Sequence, residues 1–429
     1  MTEAHTDTRP FGFWTATAMV IGGMIGAGVF VLPSQLAPYG WTGVAAWVLG
    51  GAAAVLIASV LAGVAAARPR EPGLVAIIGE VLGPVAGCLV GWGGWVSYWC
   101  ANAYIALVAA RYGGQFAPAL ASSQPRQALV ASLIIAGLTA INLASLKAAG
   151  RLQVVTTALK LLPMLAVLII VIMLVLRGGG EYAAVAHPRL DPSQLFTATS
   201  LAFVAIVGFE TASIAAQRVR DPERNIPRAT LLGVVLTCLV YLVVCVGIDF
   251  ALPVEVLTAS NAPIALFVGQ YWGPWAGGVI AAFAVISCIG CLNVWIMMQS
   301  EVPLGLVRAG LLPGWLGRTN RHDVATAPML IASGLSVALL FVGSWQTGAG
   351  LMDFLLLLTS VSALWIYAFA CVAALMIGTH RIAAVLGLLF CAGVLYGSGL
   401  ETVLLSVALL LAALPLYALA TRGGQPQAA

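Results

Sequence analysis

The feature that most constrains this chain is a cluster of glycines inside an apolar stretch that is long enough to cross a membrane. Residues 11–36 are almost entirely apolar, and about 20 such residues span the hydrocarbon core of a bilayer. Four of the nine residues at 22–30 (GGMIGAGVF) are glycine. Because each glycine destabilises a helix interior by about 1 kcal/mol relative to alanine, the cluster predicts a helix that is interrupted in mid-membrane.

An interrupted helix leaves backbone N–H and C=O groups without partners at membrane depth. Lipid cannot satisfy them, so they must face protein, a water-filled cavity or a ligand. This arrangement is typical of the substrate site of a secondary transporter.

The composition excludes a large soluble domain. Of 429 residues, 61% are hydrophobic and only 8% are charged, whereas soluble domains carry about 25% charged residues. The eight cysteines lack the spacing of a metal site, and HExxH and GxSxG do not occur. We therefore expect neither an enzyme nor a cofactor, and no nucleic-acid partner.

Hydropathy predicts an all-α polytopic protein whose single transporter domain covers residues 1–429. The approximate limits of its twelve spans are 11–37, 41–67, 84–114, 127–146, 151–176, 194–217, 229–252, 274–304, 327–344, 349–377, 380–397 and 400–421.

The basic residues predict the orientation. With the N-terminus inside, 14 of the 19 Lys and Arg residues lie on the inner side, and the outer four are Arg111, Arg126, Arg177 and Arg189. Because inner loops carry the excess of positive charge, both termini are predicted to be cytoplasmic. The expected location is the cell inner (plasma) membrane, with the lipid bilayer as a partner.

The sixth span repeats the interruption of the first. It carries a central glycine, Gly208, followed by polar residues. The two interruptions are five spans apart, an odd number, so the two halves would insert in opposite senses. This predicts a first repeat at 11–176, a second at 194–377, and two extra helices at 380–421.

The first interruption predicts a backbone receptor for a carboxylate. The helix that restarts after it would present free N–H groups and its positive dipole end. The residues at this position are Gly23, Ile25, Gly26, Ala27 and Gly28.

The second interruption predicts the complementary receptor for an ammonium group. Carbonyls near Ile206, Gly208 and Phe209 would face the same site, with Phe203 flanking it. Close helix packing through small residues is the alternative reading of both glycine clusters.

Lys160 and Glu210 are the candidates for proton coupling or gating. Both lie inside predicted spans, where ionisable groups are expensive and functional by default. For Lys160 the alternative is snorkelling to the interface, and for Glu210 it is a structural hydrogen bond. Asp249 lies near a span end and is expected to be solvated.

Two further side chains are candidates for substrate contact. Trp295, deep in the eighth span, could line the pocket and hold a cation over its ring, although membrane aromatics also serve in packing. Asn102 is an isolated amide in the third span. The run RVRDPERNIPRAT at 218–230 is predicted to be a loop that forms an inner gate through ion pairs or is simply solvated.

Several of these segments are similar to one family. GGMIGAGVFVLP at 22–33, VGFETAS at 207–213 and DPERNIPRA at 221–229 resemble the amino acid–polyamine–organocation superfamily. LNVWIMMQSEVPLGLVRAGLLP at 292–313 is similar to its basic amino acid/polyamine antiporter branch, which includes arginine/agmatine antiporters. The resemblance implies a five-plus-five inverted-repeat core with discontinuous helices 1 and 6, two extra helices, alternating access, and a homodimer as a candidate assembly.

The resemblance carries over unevenly. Trp295 matches an aromatic that packs on substrate, and Glu210 matches the acid of the sixth span. Gly23 and Ala27, however, stand where those antiporters have Asn and Ser. Lys160 resembles proton-coupled permeases, in which a lysine replaces a sodium ion.

Two functions stay open on the sequence. One is an antiporter of amino acids and polyamines, with cationic amino acids as the expected substrates. The other is a proton-coupled permease or exporter of neutral amino acids that uses Lys160. A channel is disfavoured because rings of pore-lining polar residues are missing from the sequence.

Overall fold

The computed structural model describes residues 11–68, 74–121, 123–180, 182, 187–214, 218–260, 262–344 and 350–422. Within these residues no β-strand forms, and the fold is helical. The α-helices are α1 (Phe13–Met24), α2 (Gly28–Leu36), α3 (Trp41–Ala67), α4 (Leu74–Leu82), α5 (Pro84–Gly113), α6 (Pro118–Ala121), α7 (Gln124–Ala144), α8 (Leu146–Leu176), α9 (Leu195–Ile206), α10 (Thr211–Ile214), α11 (Pro222–Asp249), α12 (Val254–Thr258), α13 (Pro263–Trp272), α14 (Pro274–Arg308), α15 (Thr326–Ser344), α16 (Gly350–Ile377), α17 (Arg381–Gly397), α18 (Leu400–Leu411) and α19 (Ala413–Arg422).

The helices are those of a polytopic membrane protein. By length and composition, eight apolar segments of the described residues can cross a membrane, and three further apolar helices are shorter. The 30-residue α5 is not among these eight segments, and it packs against α14 and α16. This confirms the all-α membrane fold, while the number of twelve spans stays a prediction. Residue 349, the predicted start of the tenth span, lies outside the described residues.

One predicted boundary is wrong. The sequence predicts that the seventh span begins at 229 after a loop, but α11 already begins at Pro222. Proline is favoured in the first turn of a helix because its missing N–H would have no intrahelical partner there. Arg224 and Arg228 therefore lie on a helix rather than in a loop.

Both predicted interruptions are present. The first helix ends at Met24 and restarts at Gly28, and the sixth predicted span is broken between Ile206 and Thr211. The two breaks touch: Gly208 has φ 115°, and a Cβ at this position would lie 2.8 Å from the carbonyl oxygen of Gly23. Glycine is therefore required at 208 both for its dihedral and for this close approach.

A Gly-Pro corner occurs twice in the structure, each time joining a short helix to a long one. The pattern G-x3-G-P-x-A-G at 79–87 joins α4 to α5, and the same pattern at 269–277 joins α13 to α14. The corner glycines have nearly the same backbone angles, with φ 98° and ψ 156° at Gly83 and φ 97° and ψ 163° at Gly273.

In both corners the outer glycines bring the two helices into backbone contact. A Cβ on Gly87 would lie 2.7 Å from the Cα of Gly79, and a Cβ on Gly277 would lie 3.0 Å from the carbonyl oxygen of Ala265. The same sequence pattern thus produces the same packed corner at two places 190 residues apart.

We expect Gly87→Ala to lower the thermal unfolding temperature of the purified protein, because overpacking a tight contact costs about 1–3 kcal/mol. Gly137→Ala is the matched control. Gly137 is exposed on α7, and a Cβ added there would meet no heavy atom within 4 Å, so only helix propensity acts and the unfolding temperature should hold or rise. Equal effects of the two substitutions would contradict the packing argument.

Candidate functional site

A small cavity lies between the two helix breaks. Its volume is about 30 Å³, enough for one or two water molecules but far below the roughly 300 Å³ of a ligand pocket. Its lining residues are Gly23, Met24, Gly26, Ala27, Gly28, Ala101, Tyr104, Ile105, Val204, Ala205, Val207, Cys291, Trp295 and Thr359. A solute could occupy this site only after the surrounding helices separate.

One wall of the cavity consists of hydrogen-bond donors. It is the first turn of α2, where no side chain caps the helix. Among the described residues, the N–H groups of Ala27, Gly28 and Val29 have no acceptor. These donors, together with the positive end of the helix dipole, form a site that suits a carboxylate.

The opposite wall consists of acceptors. It is the last turn of α9, which packs so closely on α2 that a Cβ at Gly28 would lie 2.9 Å from that of Ala205. Within the described part of the chain, no group donates to the carbonyl oxygens of Val204, Ala205 or Ile206. The two walls therefore offer complementary main-chain groups across one narrow space.

Lys160 caps the carbonyl end of α1. Its side chain is fully buried, and its Nζ donates to the carbonyl oxygens of Gly22 (3.0 Å) and Ile25 (2.6 Å). A cation is stabilised at the C-terminal, negative pole of a helix. Snorkelling of Lys160 is excluded by this geometry, because the ammonium points to the helix break and is shielded from solvent.

Side chains from α11 and α14 satisfy the other carbonyls of the first break. The indole N–H of Trp295 donates to the Gly23 oxygen (3.1 Å), and the Cys291 thiol lies 3.3 Å from the same atom. The Tyr241 hydroxyl donates to the Met24 oxygen (2.7 Å), and the Ser287 hydroxyl lies 3.4 Å from the carbonyl oxygen of Ile25. The break is thus held open by hydrogen bonds from three helices, counting Lys160 on α8.

A line of buried polar side chains continues from Lys160 along α8. The Gln153 amide donates to the Ala18 oxygen on α1 and to the Thr157 hydroxyl, both at 3.2 Å. Asn293 on α14 donates to the Gln153 oxygen (3.3 Å) and accepts from Asn142 on α7 (3.1 Å). These bonds tie α1 to α7, α8 and α14.

Glu210 lies at the second break and is fully buried. Its carboxylate accepts hydrogen bonds from the hydroxyls of Tyr98 (3.0 Å) and Tyr367 and from the N–H of Gly208 (3.2 Å). Three donors from α5, α16 and the break itself thus meet at this single acid.

Arg218 joins four segments at one end of the bundle. Its guanidinium binds Glu301 at the end of α14 (3.1 Å) and Asp323 in the following loop. Its carbonyl oxygen accepts from the N–H of Phe11 (3.0 Å), which precedes α1. Burial alone would lower the pKa of Arg218, but the two carboxylates outweigh it and raise the pKa, so the guanidinium stays charged.

The structure brings some predicted site residues to the cavity and not others. Those that line it are Gly23, Gly26, Ala27, Gly28 and Trp295. The remaining predicted residues lie around it, namely Ile25, Asn102, Phe203, Ile206, Gly208 and Phe209.

The two phenylalanine side chains near the second break do not line the cavity. Phe203 packs edge-on against Phe390 and Tyr367, with ring centroids 5.0 and 6.0 Å apart, and Phe209 stacks on Tyr367 at 4.5 Å. Their rings therefore pack the bundle, whereas Val204 and Ala205 of α9 line the cavity.

Asn102 and Asp249 are both buried with unpaired atoms. Both amide atoms of Asn102 and the Oδ1 atom of Asp249 are buried without a hydrogen-bond partner among the described residues. Asp249 is 8% exposed, so the prediction that it is solvated is wrong. The connection that follows α11 is itself packed into the bundle, with Ala251 and Leu252 buried.

Sequence reasoning missed several lining residues. Ala101, Ile105, Ala205 and Cys291 carry no chemical signal that separates them from ordinary packing residues. Tyr104 lies on the same face of α5 as Ala101 and Ile105, but only the structure shows that this face lines the cavity.

Comparison with known proteins gives consistent matches over most of the chain. The chain is 26% identical over 353 residues to the cadaverine/lysine antiporter of Escherichia coli (strain K12), covering 80% of this chain and 77% of the relative. It is 29% identical over 368 residues to a putative arginine/ornithine antiporter of Bacillus subtilis (strain 168), covering 78% and 77%. It is 28% identical over 361 residues to the arginine/ornithine antiporter of Latilactobacillus sakei, covering 81% and 75%.

A family model for amino acid permeases matches residues 11–422, a range that contains both helix breaks, Lys160 and Glu210. This match covers nearly the whole chain, and the family consists of transporters rather than enzymes. The chain belongs to the amino acid permease family.

Proposed function

We propose that this chain is an amino acid antiporter that works by alternating access around the cavity between the two helix breaks. In this proposal twelve spans form a five-plus-five inverted repeat with two extra helices, and both termini are cytoplasmic. The repeated Gly-Pro corners at Gly83 and Gly273 support the duplication, since each directly precedes the third predicted span of its half.

The observation that carries the proposal is the pair of main-chain walls. Among the described residues, N–H groups without acceptors at Gly28 and its neighbours and carbonyls without donors at Ala205 and its neighbours lie at the same cavity. An α-amino acid has one carboxylate and one ammonium bonded to the same carbon atom, so a single molecule can satisfy both walls.

The names of the relatives favour a cationic amino acid or a polyamine as the substrate. A specific observation favours the second candidate, a neutral amino acid. Among the described lining residues there is no carboxylate, and the nearby Glu210 already accepts three hydrogen bonds. A cationic side chain in this cavity would have no free counter-ion.

Lys160 is the candidate for proton coupling in the permease alternative. Its ammonium holds Gly22 and Ile25 from the α8 side, so loss of its proton would weaken the attachment of α1. This attachment is the physical link through which proton release could change access to the site.

Arg218 is the candidate centre of an inner gate. The Arg218–Glu301 pair and the Phe11–Val219 bridge join the start of α1 to the end of α14. Opening on this side requires these contacts to separate.

We expect proteoliposomes preloaded with unlabelled amino acid to take up labelled amino acid, and empty ones to take up little. Alanine, lysine, arginine and cadaverine, each offered as the counter-substrate, would separate neutral from cationic specificity. The variant Gly28→Val, which closes the space against Ala205, is the inactive control. Equal uptake into empty vesicles under a proton gradient would reject obligatory exchange in favour of the permease.

We expect Lys160→Met to destabilise the protein more than Lys160→Gln, because only glutamine keeps a donor for the buried carbonyls and a buried polar group left unsatisfied costs about 1–3 kcal/mol. Thermal unfolding measures this difference. In both variants the pH dependence of transport should be flattened near neutrality. If the pH–rate profile of a folded variant matches that of the parent, Lys160 is not the proton site.

We expect Glu301→Gln to open the site at the Arg218 end, since removing one partner of a buried ion pair costs about 3–5 kcal/mol. The measurement is alkylation of the cavity residue Cys291 by a maleimide, followed by peptide mass spectrometry. Cys245, which is also buried but lies outside the cavity lining, reports global unfolding. Unchanged labelling of Cys291 would remove the pair from the gate.

A further inference from the structure

A second concavity lies on the outside of the bundle, at the end where Arg218 lies. It is an open groove of about 540 Å³ between α3, α11 and the residue before α17. Its floor is made of small residues of α3, including Ala62, Gly63 and Ala66. This groove shares no lining residue with the central cavity.

Two arginines form the basic wall of the groove. Arg224 and Arg228 are four residues apart on α11 and therefore lie on the same helix face. Both side chains are exposed, and neither has an ion-pair partner among the described residues. His380 lies on the opposite wall.

The charge of the groove is positive even though it contains an acid. Glu223 also lines it but forms no ion pair with either arginine within the described residues. Two guanidinium groups against one carboxylate leave a net charge that one phosphodiester would balance. Guanidinium groups match phosphate oxygens through paired hydrogen bonds.

An apolar surface continues from the basic wall. Leu232, Val235 and Leu239 follow Arg228 at spacings of four, three and four residues, and all three are exposed. From Arg228 to Leu239 the helix rises about 16 Å, a length over which an acyl chain could lie against it. A soluble anion would make no use of this surface.

We propose that this groove binds an anionic phospholipid such as phosphatidylglycerol, with its phosphate between Arg224 and Arg228 and an acyl chain along α11. Basic pockets between membrane helices on the cytoplasmic side bind anionic headgroups. The proposed orientation places this end of the bundle at the cytoplasmic leaflet.

The test is thermal unfolding and native mass spectrometry of the full-length protein in a neutral detergent with added lipid. Phosphatidylglycerol should raise the unfolding temperature and stay bound, whereas phosphatidylcholine and phosphatidylethanolamine should do neither. Arg224→Gln with Arg228→Gln should weaken phosphatidylglycerol binding roughly tenfold or more. Arg177→Gln removes one exposed arginine outside the groove and should leave binding unchanged.

Two further experiments test whether the acyl chain and the headgroup are both required. Ala66→Leu keeps both arginines but fills the exposed floor, and it should also weaken retention of phosphatidylglycerol. Inorganic phosphate and glycerol 3-phosphate at matched ionic strength should not stabilise the protein. The proposal is overturned if these anions or the other two lipids match the effect of phosphatidylglycerol, or if Ala66→Leu and the double variant both keep it.

Discussion

The structure depends on one constraint: main-chain groups freed at a helix break inside a membrane must find partners. At the end of α1 the partners are side chains. Lys160 donates to two carbonyl oxygens, and Trp295 and Tyr241 donate to the two carbonyl oxygens between them. At the start of α2 and the end of α9 the partners are missing among the described residues. The carbonyl groups at the end of α1 therefore have hydrogen-bond partners, whereas the N–H groups at the start of α2 and the carbonyl groups at the end of α9 are available to a ligand.

Two attachments, one at Lys160 and one at Arg218, depend on different kinds of interaction. At the centre, Lys160 interacts with helix dipoles and carbonyls, which cannot be ionised. At the edge of the bundle, Arg218 interacts with the carboxylates of Glu301 and Asp323. The central attachment rests on hydrogen bonds from one ammonium group, whereas the edge attachment rests on ion pairs.

The positions of both helix breaks and the burial of Lys160 could be predicted from the sequence. Glycines in a helix and a lysine in a membrane span are each energetically unfavourable, and both are visible in the sequence itself. The sequence does not predict which side chains form hydrogen bonds with the freed main-chain groups. That Trp295 donates to Gly23 depends on how α14 is rotated against α1, which no local pattern encodes. The corners at Gly83 and Gly273 are readable, by comparing 79–87 with 269–277, but only as a repeat.

The contact between Gly23 and Gly208 joins two backbones without any side chain between them. A joint made of main-chain atoms does not change its chemistry when the residues around it are exchanged. The side chains that line the cavity can therefore change while the contact between Gly23 and Gly208 stays the same. In such a protein the substrate can change while the backbone contact is retained, because side-chain atoms determine the first and main-chain atoms form the second.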